Sequence, residues 1–236
     1  MKNLNDVMTA LKKVGSDQSR KIYARHGAPE NMFGCKVADM KAIAREIVGE
    51  QDLALELYST GNADAMYLAG IVADGTQMKK GDLNRWAREA NWYMVSEYSV
   101  AGVAAEHPDA VQIANKWINA KKEQVAAAGW NTYTNILATR EDDELDLKEI
   151  KSHLKMIEIS IAAARNRVRY TMNGFVIAVG SFVAPLEQQA MATAKKIGKV
   201  EVEMGETSCK VPLATDYIAK VKSMGRVGKK KKSTKC

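Results

Sequence analysis

Residues 166–185 read NRVRYTMNGFVIAVGSFVAP, apolar enough to be buried yet carrying Arg167, Arg169 and Asn173 through the middle. At 3.6 residues per turn, Val168, Met172, Phe175, Val179 and Phe182 fall on one stripe, and Arg165, Arg169 and Asn173 run along the adjoining one. The pattern predicts an amphipathic helix. One face packs against neighbours, and the other either meets an anionic partner or is solvated and paired with local acids.

The rest of the chain repeats this pattern in shorter pieces. Leu4, Val7, Met8 and Leu11 are helically spaced up to Gly15, Ser16-Asp17 can cap a second helix, and Gly27-Ala28-Pro29 stops it. Val37, Met40, Ile43, Ala44 and Ile47 define another apolar face. Segments 53–58, 63–74, 79–90, 92–105, 108–119, 122–138, 147–162 and 185–197 continue the series, broken by Gly61-Asn62, Gly75, Asn91 and His107-Pro108. Thr215 to Met224 reads as a final helix. Short links make consecutive helices antiparallel neighbours, and helix pairs recurring at roughly 35 to 45 residues suit an α-solenoid of the HEAT type, with a concave surface. A globular bundle is the competing layout. The one strand-like stretch alternates from Val200 to Met204 and again from Cys209 to Val211 about Gly205-Glu206, which predicts a small β-hairpin over 200–211.

The net charge is +7, but eight of the 35 basic residues lie from Lys220 onward, where there is no acid. The remaining 27 face 28 acidic side chains, so the body is nearly neutral. Residues 1–225 are therefore read as a single helical-repeat domain and 226–236 as a basic, disordered tail, able to add salt-dependent attraction to phosphates. Cys35, Cys209 and Cys236 have no paired spacing, and no run reaches the roughly 18 apolar residues of a spanning helix. Both fit reduced thiols in a cytoplasmic protein without a membrane partner. His26, His107 and His153 lack metal-ligand spacing, and Met224-Gly225-Arg226-Val227-Gly228 is too short for a phosphate loop, so no metal and no cofactor are expected.

Four stretches stand together in order and spacing: 33–44 (FGCKVADMKAIA), 64–70 (DAMYLAG), 91–96 (NWYMVS) and the helix over 170–180. In these the chain resembles the AlkD-like DNA alkylation repair glycosylases over roughly Ser16 to Lys199. The resemblance implies an all-α, HEAT-like solenoid holding duplex DNA in its concave groove, and excision of cationic N3- or N7-alkylpurines left stacked in the duplex. In that chemistry aromatic faces and a carboxylate stabilise positive charge developing on the sugar, and an arginine meets the phosphate. Carried over by position, Trp92 matches a groove tryptophan and Tyr23 a groove tyrosine. The expected aspartate falls on Ser96 with Glu97 next to it, the second tryptophan falls on Phe175, and the helix 125–133 has no arginine where one is expected. Trp92, Ser96 and Glu97 are thus the candidate catalytic residues.

These departures touch catalysis more than binding. Tyr23, Trp92, Tyr93, Trp130, Tyr133 and Phe175 can supply stacking faces, and Arg165, Arg167, Arg169 and Asn173 can meet phosphates. For Phe175, and for Trp130 with Tyr133, packing in the core is the alternative; Trp86 and Trp117 lie among apolar residues and read as core. The expected function is a DNA-binding protein for duplex, damaged or distorted DNA that has lost or changed the excision chemistry. The alternatives are an active alkylpurine N-glycosylase and a helical-repeat scaffold for a protein partner.

Overall fold

The computed structural model describes residues 3–235; Cys236 lies outside the described residues. All regular structure among them is helical. The α-helices are α1 (Leu4–Val14), α2 (Asp17–Arg25), α3 (Val37–Arg45), α4 (Gln51–Ser59), α5 (Ala63–Val72), α6 (Lys80–Glu89), α7 (Ala101–Glu106), α8 (Ala110–Ile118), α9 (Glu123–Thr139), α10 (Leu147–Ser160), α11 (Asn166–Phe182), α12 (Glu187–Ile197) and α13 (Ala214–Ser223). A π-helical turn, Val95–Val100, runs directly into α7. No single helix among the described residues is long and apolar enough to cross a membrane.

The starts follow from local chemistry. Asn3, Ser16, Asn62 and Asp146 each accept a backbone N–H of the first turn of their helix, satisfying donors that have no partner within it.

Among the described residues two compact units can be distinguished. One holds residues 3–109 with 204–208 and 235; the other holds 110–203 with 209–234. In the first, α5 is buried on nearly every side, because α3, α4 and the π-helical turn all pack on it. Tyr58 stacks on Trp86 with centroids 4.0 Å apart, and its hydroxyl donates to the Trp86 carbonyl at 2.7 Å. Both rings are fully buried, and Trp117 is buried in the other unit.

In the second unit α9 packs against α8 and α11, and α11 also carries α12 and α13. Gly129 sets the α8–α9 separation: a Cβ there would come within 2.5 Å of Ile118 N and 2.8 Å of Trp117 C. Backbone cannot yield as a side-chain end can. Gly129→Ala is expected to lower unfolding stability by about 2–3 kcal/mol, read from chemical denaturation, with α8 losing its packing first.

Two expectations are corrected. Residues 200–211 form no strand pair: the Asn166 side chain accepts Glu203 N at 2.7 Å and donates to Glu203 O at 2.9 Å, taking the backbone groups a hairpin partner would use. Nor is the lysine-rich end loose. Lys230, whose side chain is 8% exposed, donates to Leu137 O, Phe182 O and Asp142 Oδ1 at 3.1, 2.7 and 2.8 Å. Gly228 N and Lys231 N donate to Ser181 O and Ala138 O, so the segment is pinned across the carbonyl ends of α9 and α11. Cationic donors suit helix C-termini, where unsatisfied carbonyls carry partial negative charge.

Candidate nucleic-acid interface

The arginine-bearing helix opens on a different use of its charges. Arg165 caps α11 and its guanidinium donates to Lys121 O and, at 2.8 Å, to Ala120 O. It therefore braces the turn between α8 and α9. Arg167 lies 4.4 Å over the Tyr170 ring, and its backbone N–H donates to Glu123 Oε1 at 2.7 Å. Arg169 is half-buried, with its Nε enclosed and lacking an acceptor. Asn173 is 1% exposed and donates to Pro212 O at 2.9 Å. The polar stripe read from the sequence is thus largely an internal brace. Asn173 is corrected from a phosphate contact to a buried tie, whereas Arg165, exposed, clamps the carbonyls of the 120–121 turn.

The same correction applies to the aromatic residues of this unit. Trp130, Tyr133 and Phe175 are 0%, 2% and 0% exposed and surround His153, with ring centroids 5.0 to 5.9 Å apart in edge-to-face pairs. They form the core of unit two. Its polar edge is a chain: the Tyr133 hydroxyl bonds Glu149, Asn115 donates to Glu149 at 3.0 Å, and Asn115 Oδ1 lies 2.9 Å from His153 Nε2. Burial holds the His153 imidazole below its ordinary pKa, against the Glu149 carboxylate, which pulls the other way. A depressed histidine folds neutral but unfolds to a form that protonates from about pH 6.5 downward, so stability falls as pH drops through that range. Thermal unfolding between pH 7.5 and 5 should show the loss, and His153→Gln should flatten the slope.

In the first unit the aromatic residues do reach the surface. Trp92 is half-buried; its ring tilts 48° against Tyr23 at 5.6 Å and meets Tyr93 edge-on at 5.6 Å. Trp92 Nε1 donates to His26 O at 2.9 Å and the Tyr23 hydroxyl to Cys35 O at 3.2 Å, so both rings are fixed by polar ties at their edges. Below them a cleft of about 30 Å³, lined by Cys35, Met40, Asp64, Tyr67 and Met94, is large enough for little more than water.

The cleft wall is set by Asp64. Its carboxylate accepts Phe33 N, Gly34 N and Cys35 N at 2.6, 2.9 and 3.0 Å, which folds the 33–35 turn onto α5. Burial raises the Asp64 carboxyl above its usual range although these three donors pull it down. Burial also pushes the Cys35 thiol up to about 12, which makes it an inert core thiol.

Both candidate carboxylate positions are buried. Ser96 N donates to Trp92 O at 3.0 Å, so Ser96 stands one α-helical turn past Trp92, but Ser96 and Glu97 are 0% and 1% exposed at the start of the π-helical turn. That turn is held by α5: Ser99 Oγ donates to Tyr67 O at 3.2 Å, and a Cβ on Gly70 would sit 2.4 Å from Ser99 Cβ. Ser96 and Glu97, read from the sequence as candidate catalytic residues, are thus interior.

The cations missed by the sequence reading sit on α2. This helix buries only Ser19, leaving Arg20, Lys21, Ile22 and Arg25 exposed around the partly sheltered Tyr23. The signal was the poor apolar content of α2, which no core needs. Among the described residues there is no group of three or more metal-ligating side chains.

Comparison with known proteins agrees with this helical frame. A solved structure presented as a new family related to the HEAT-like repeat DNA glycosylases with affinity for branched DNA structures is 37% identical, covers 99% of this chain and 100% of its own, and superposes with a TM-score of 0.91. The uncharacterized proteins Lin0241 of Listeria innocua and Lmo0209 of Listeria monocytogenes are 30% and 29% identical over 221 residues, covering 91% of this chain and 95% of each relative. The match to DNA alkylation repair enzymes runs over residues 7–208, most of the chain, and the protein belongs to that family, with a HEAT-like helical-repeat fold.

Proposed function

We propose that this protein binds DNA, with a preference for branched over linear duplexes, and does not excise alkylated bases. The observation that carries the reading is the surface pair Tyr23 and Trp92, tied at their edges, with Arg20, Lys21 and Arg25 exposed on the same helix as Tyr23. Aromatic faces beside cations suit a nucleic acid whose bases or sugars are accessible, because stacking contributes about 1–3 kcal/mol per base and cations meet the phosphates. Branch points expose both. The affinity for branched DNA ascribed to the 37% identical relative supports the preference.

Against excision stands the burial of Ser96 and Glu97. Departure of an alkylpurine builds positive charge on the deoxyribose, and a carboxylate has to reach that charge to stabilise it. Neither position presents one to solvent beside Trp92.

Gel-shift titrations with a four-way junction and a linear duplex test the proposal. Tighter junction binding, weakened about tenfold or more by Trp92→Ala, is the expected result; equal affinity for both DNAs, or no effect at Trp92, contradicts it. Release of 7-methylguanine from alkylated DNA should not rise above that of the Trp92→Ala control.

A further inference from the structure

The basic segment 226–235 follows the stretch that matches the family, yet it is held in a fixed course. One lysine of the run Lys229 to Lys232 performs the anchoring: Lys230 is buried against Asp142 and the carbonyls of α9 and α11. Capping needs no more than that. Arg226, Lys229, Lys231 and Lys232 all remain exposed, and among the described residues Arg226, Lys229 and Lys232 make no ion pair. Lys231 extends past the Phe182 ring with its ammonium 5.5 Å from the centroid.

The acidic turn at 141–144 offsets this strip only in part. Asp142 already faces Lys230 and accepts Ala184 N, while Glu141 and Glu144 close a capping box on their own backbone. A solubilising tail has no need of a buried anchor, whereas a strip that must present its cations at a set place does.

We propose that Arg226, Lys229, Lys231 and Lys232 form a second phosphate-binding surface, on unit two, which takes the sugar-phosphate backbone of one duplex arm while the Tyr23–Trp92 face engages the DNA elsewhere. The proposal rests on the DNA-binding reading above. It also supplies a physical basis for junction preference: a substrate with several arms can satisfy two separate surfaces at once, and the second contact then forms at high effective concentration. A short linear duplex gains less.

The test uses the full chain with Lys229, Lys231 and Lys232 all changed to glutamine, and a companion variant with all three changed to arginine. Lys230 stays in both, and matching thermal unfolding confirms that the anchor holds. Each is titrated with a four-way junction, with a linear duplex no longer than two arms, and with phosphatidylserine vesicles. The glutamine variant is expected to lose at least tenfold in junction affinity and less than threefold on the linear duplex. Its plot of log affinity against log salt for the junction should be shallower by about 2–3, since each phosphate contact contributes about 0.9. The arginine variant should bind like the wild type. Unchanged junction binding, or an equal loss on both DNAs, overturns the proposal. So does vesicle binding that disappears in the glutamine variant while junction binding stays, which would make the strip a membrane contact. If the wild-type chain binds neither DNA, the DNA reading itself fails, an outcome distinct from loss of the strip alone.

Discussion

Lys230→Ala should unfold at least about 3 kcal/mol more readily than the wild type, although it alters one lysine in a run of four. The ammonium is buried against three oxygens, so its removal strands two helix-end carbonyls and the Asp142 carboxylate at once. Breaking a buried charge pair by deleting one partner typically costs about 3–5 kcal/mol, because the remaining charge stays desolvated. Asp142 keeps 29% of its side-chain surface in water, which favours the lower half of that range. For a chain of this size each kcal/mol moves the thermal midpoint by roughly 2–4 °C, so a drop near 10 °C is expected by differential scanning calorimetry. Lys229→Ala and Lys232→Ala, with exposed side chains, should move it by less than about 1 °C. A series in which all four lysines behave alike would contradict the anchoring role.

This has a consequence for dissecting DNA binding. Deleting residues 226–236 would remove the exposed charges and the buried anchor together, so weak DNA binding by the truncated chain would conflate electrostatics with loss of structure. Exchanging Lys229, Lys231 and Lys232 separates the two effects.

The tail also marks a limit of sequence reading. A lysine run has the composition of a disordered end, and nothing in it distinguishes Lys230 from its neighbours; only the carbonyls of Leu137 and Phe182, over ninety and nearly fifty positions away, select it. Helices were easier to read. Apolar spacing along 166–182 and 123–139 marked α11 and α9, and the caps at Asn3, Ser16, Asn62 and Asp146 fall at predictable residues. Periodicity gave the spacing but not the exposure: Ser96 does stand one α-helical turn past Trp92, with its N–H on the Trp92 carbonyl, yet it is 0% exposed. On α11 the adjoining stripe was correctly separated from the apolar one, but the same polarity serves a brace as well as a ligand: Arg165 meets carbonyls of the 120–121 turn, and Asn173 ties down Pro212. At 200–211, β-like alternation without a partner strand produced no strand, since Asn166 had already engaged the Glu203 backbone.

The second large effect lies at Asp64, which reaches the aromatic pair without touching it. Its carboxylate is the acceptor for three consecutive backbone N–H groups of the 33–35 turn, and that turn presents Cys35 O to the Tyr23 hydroxyl. Tyr23 in turn leans on Trp92. Asp64→Ala leaves the three donors buried without an acceptor, and at about 1–3 kcal/mol each for an orphaned buried donor, the loss should total about 3–5 kcal/mol after local relaxation. Asp64→Asn is the sharper probe. One amide oxygen still accepts, whereas the –NH₂ group opposes a donor N–H, so the turn should loosen while the fold survives, with about 2–3 kcal/mol lost. If Tyr23 and Trp92 contact DNA, the asparagine variant should bind a junction several-fold more weakly even where it is fully folded, and Tyr23→Phe, which removes only the hydroxyl tie to Cys35, should reproduce part of that loss. The double variant then discriminates. Effects smaller than the sum of the singles mean that Asp64 acts through the Tyr23 tie, as the chain of contacts requires. Full additivity would mean that Asp64 and the 33–35 turn influence binding by a route separate from the Tyr23 tie.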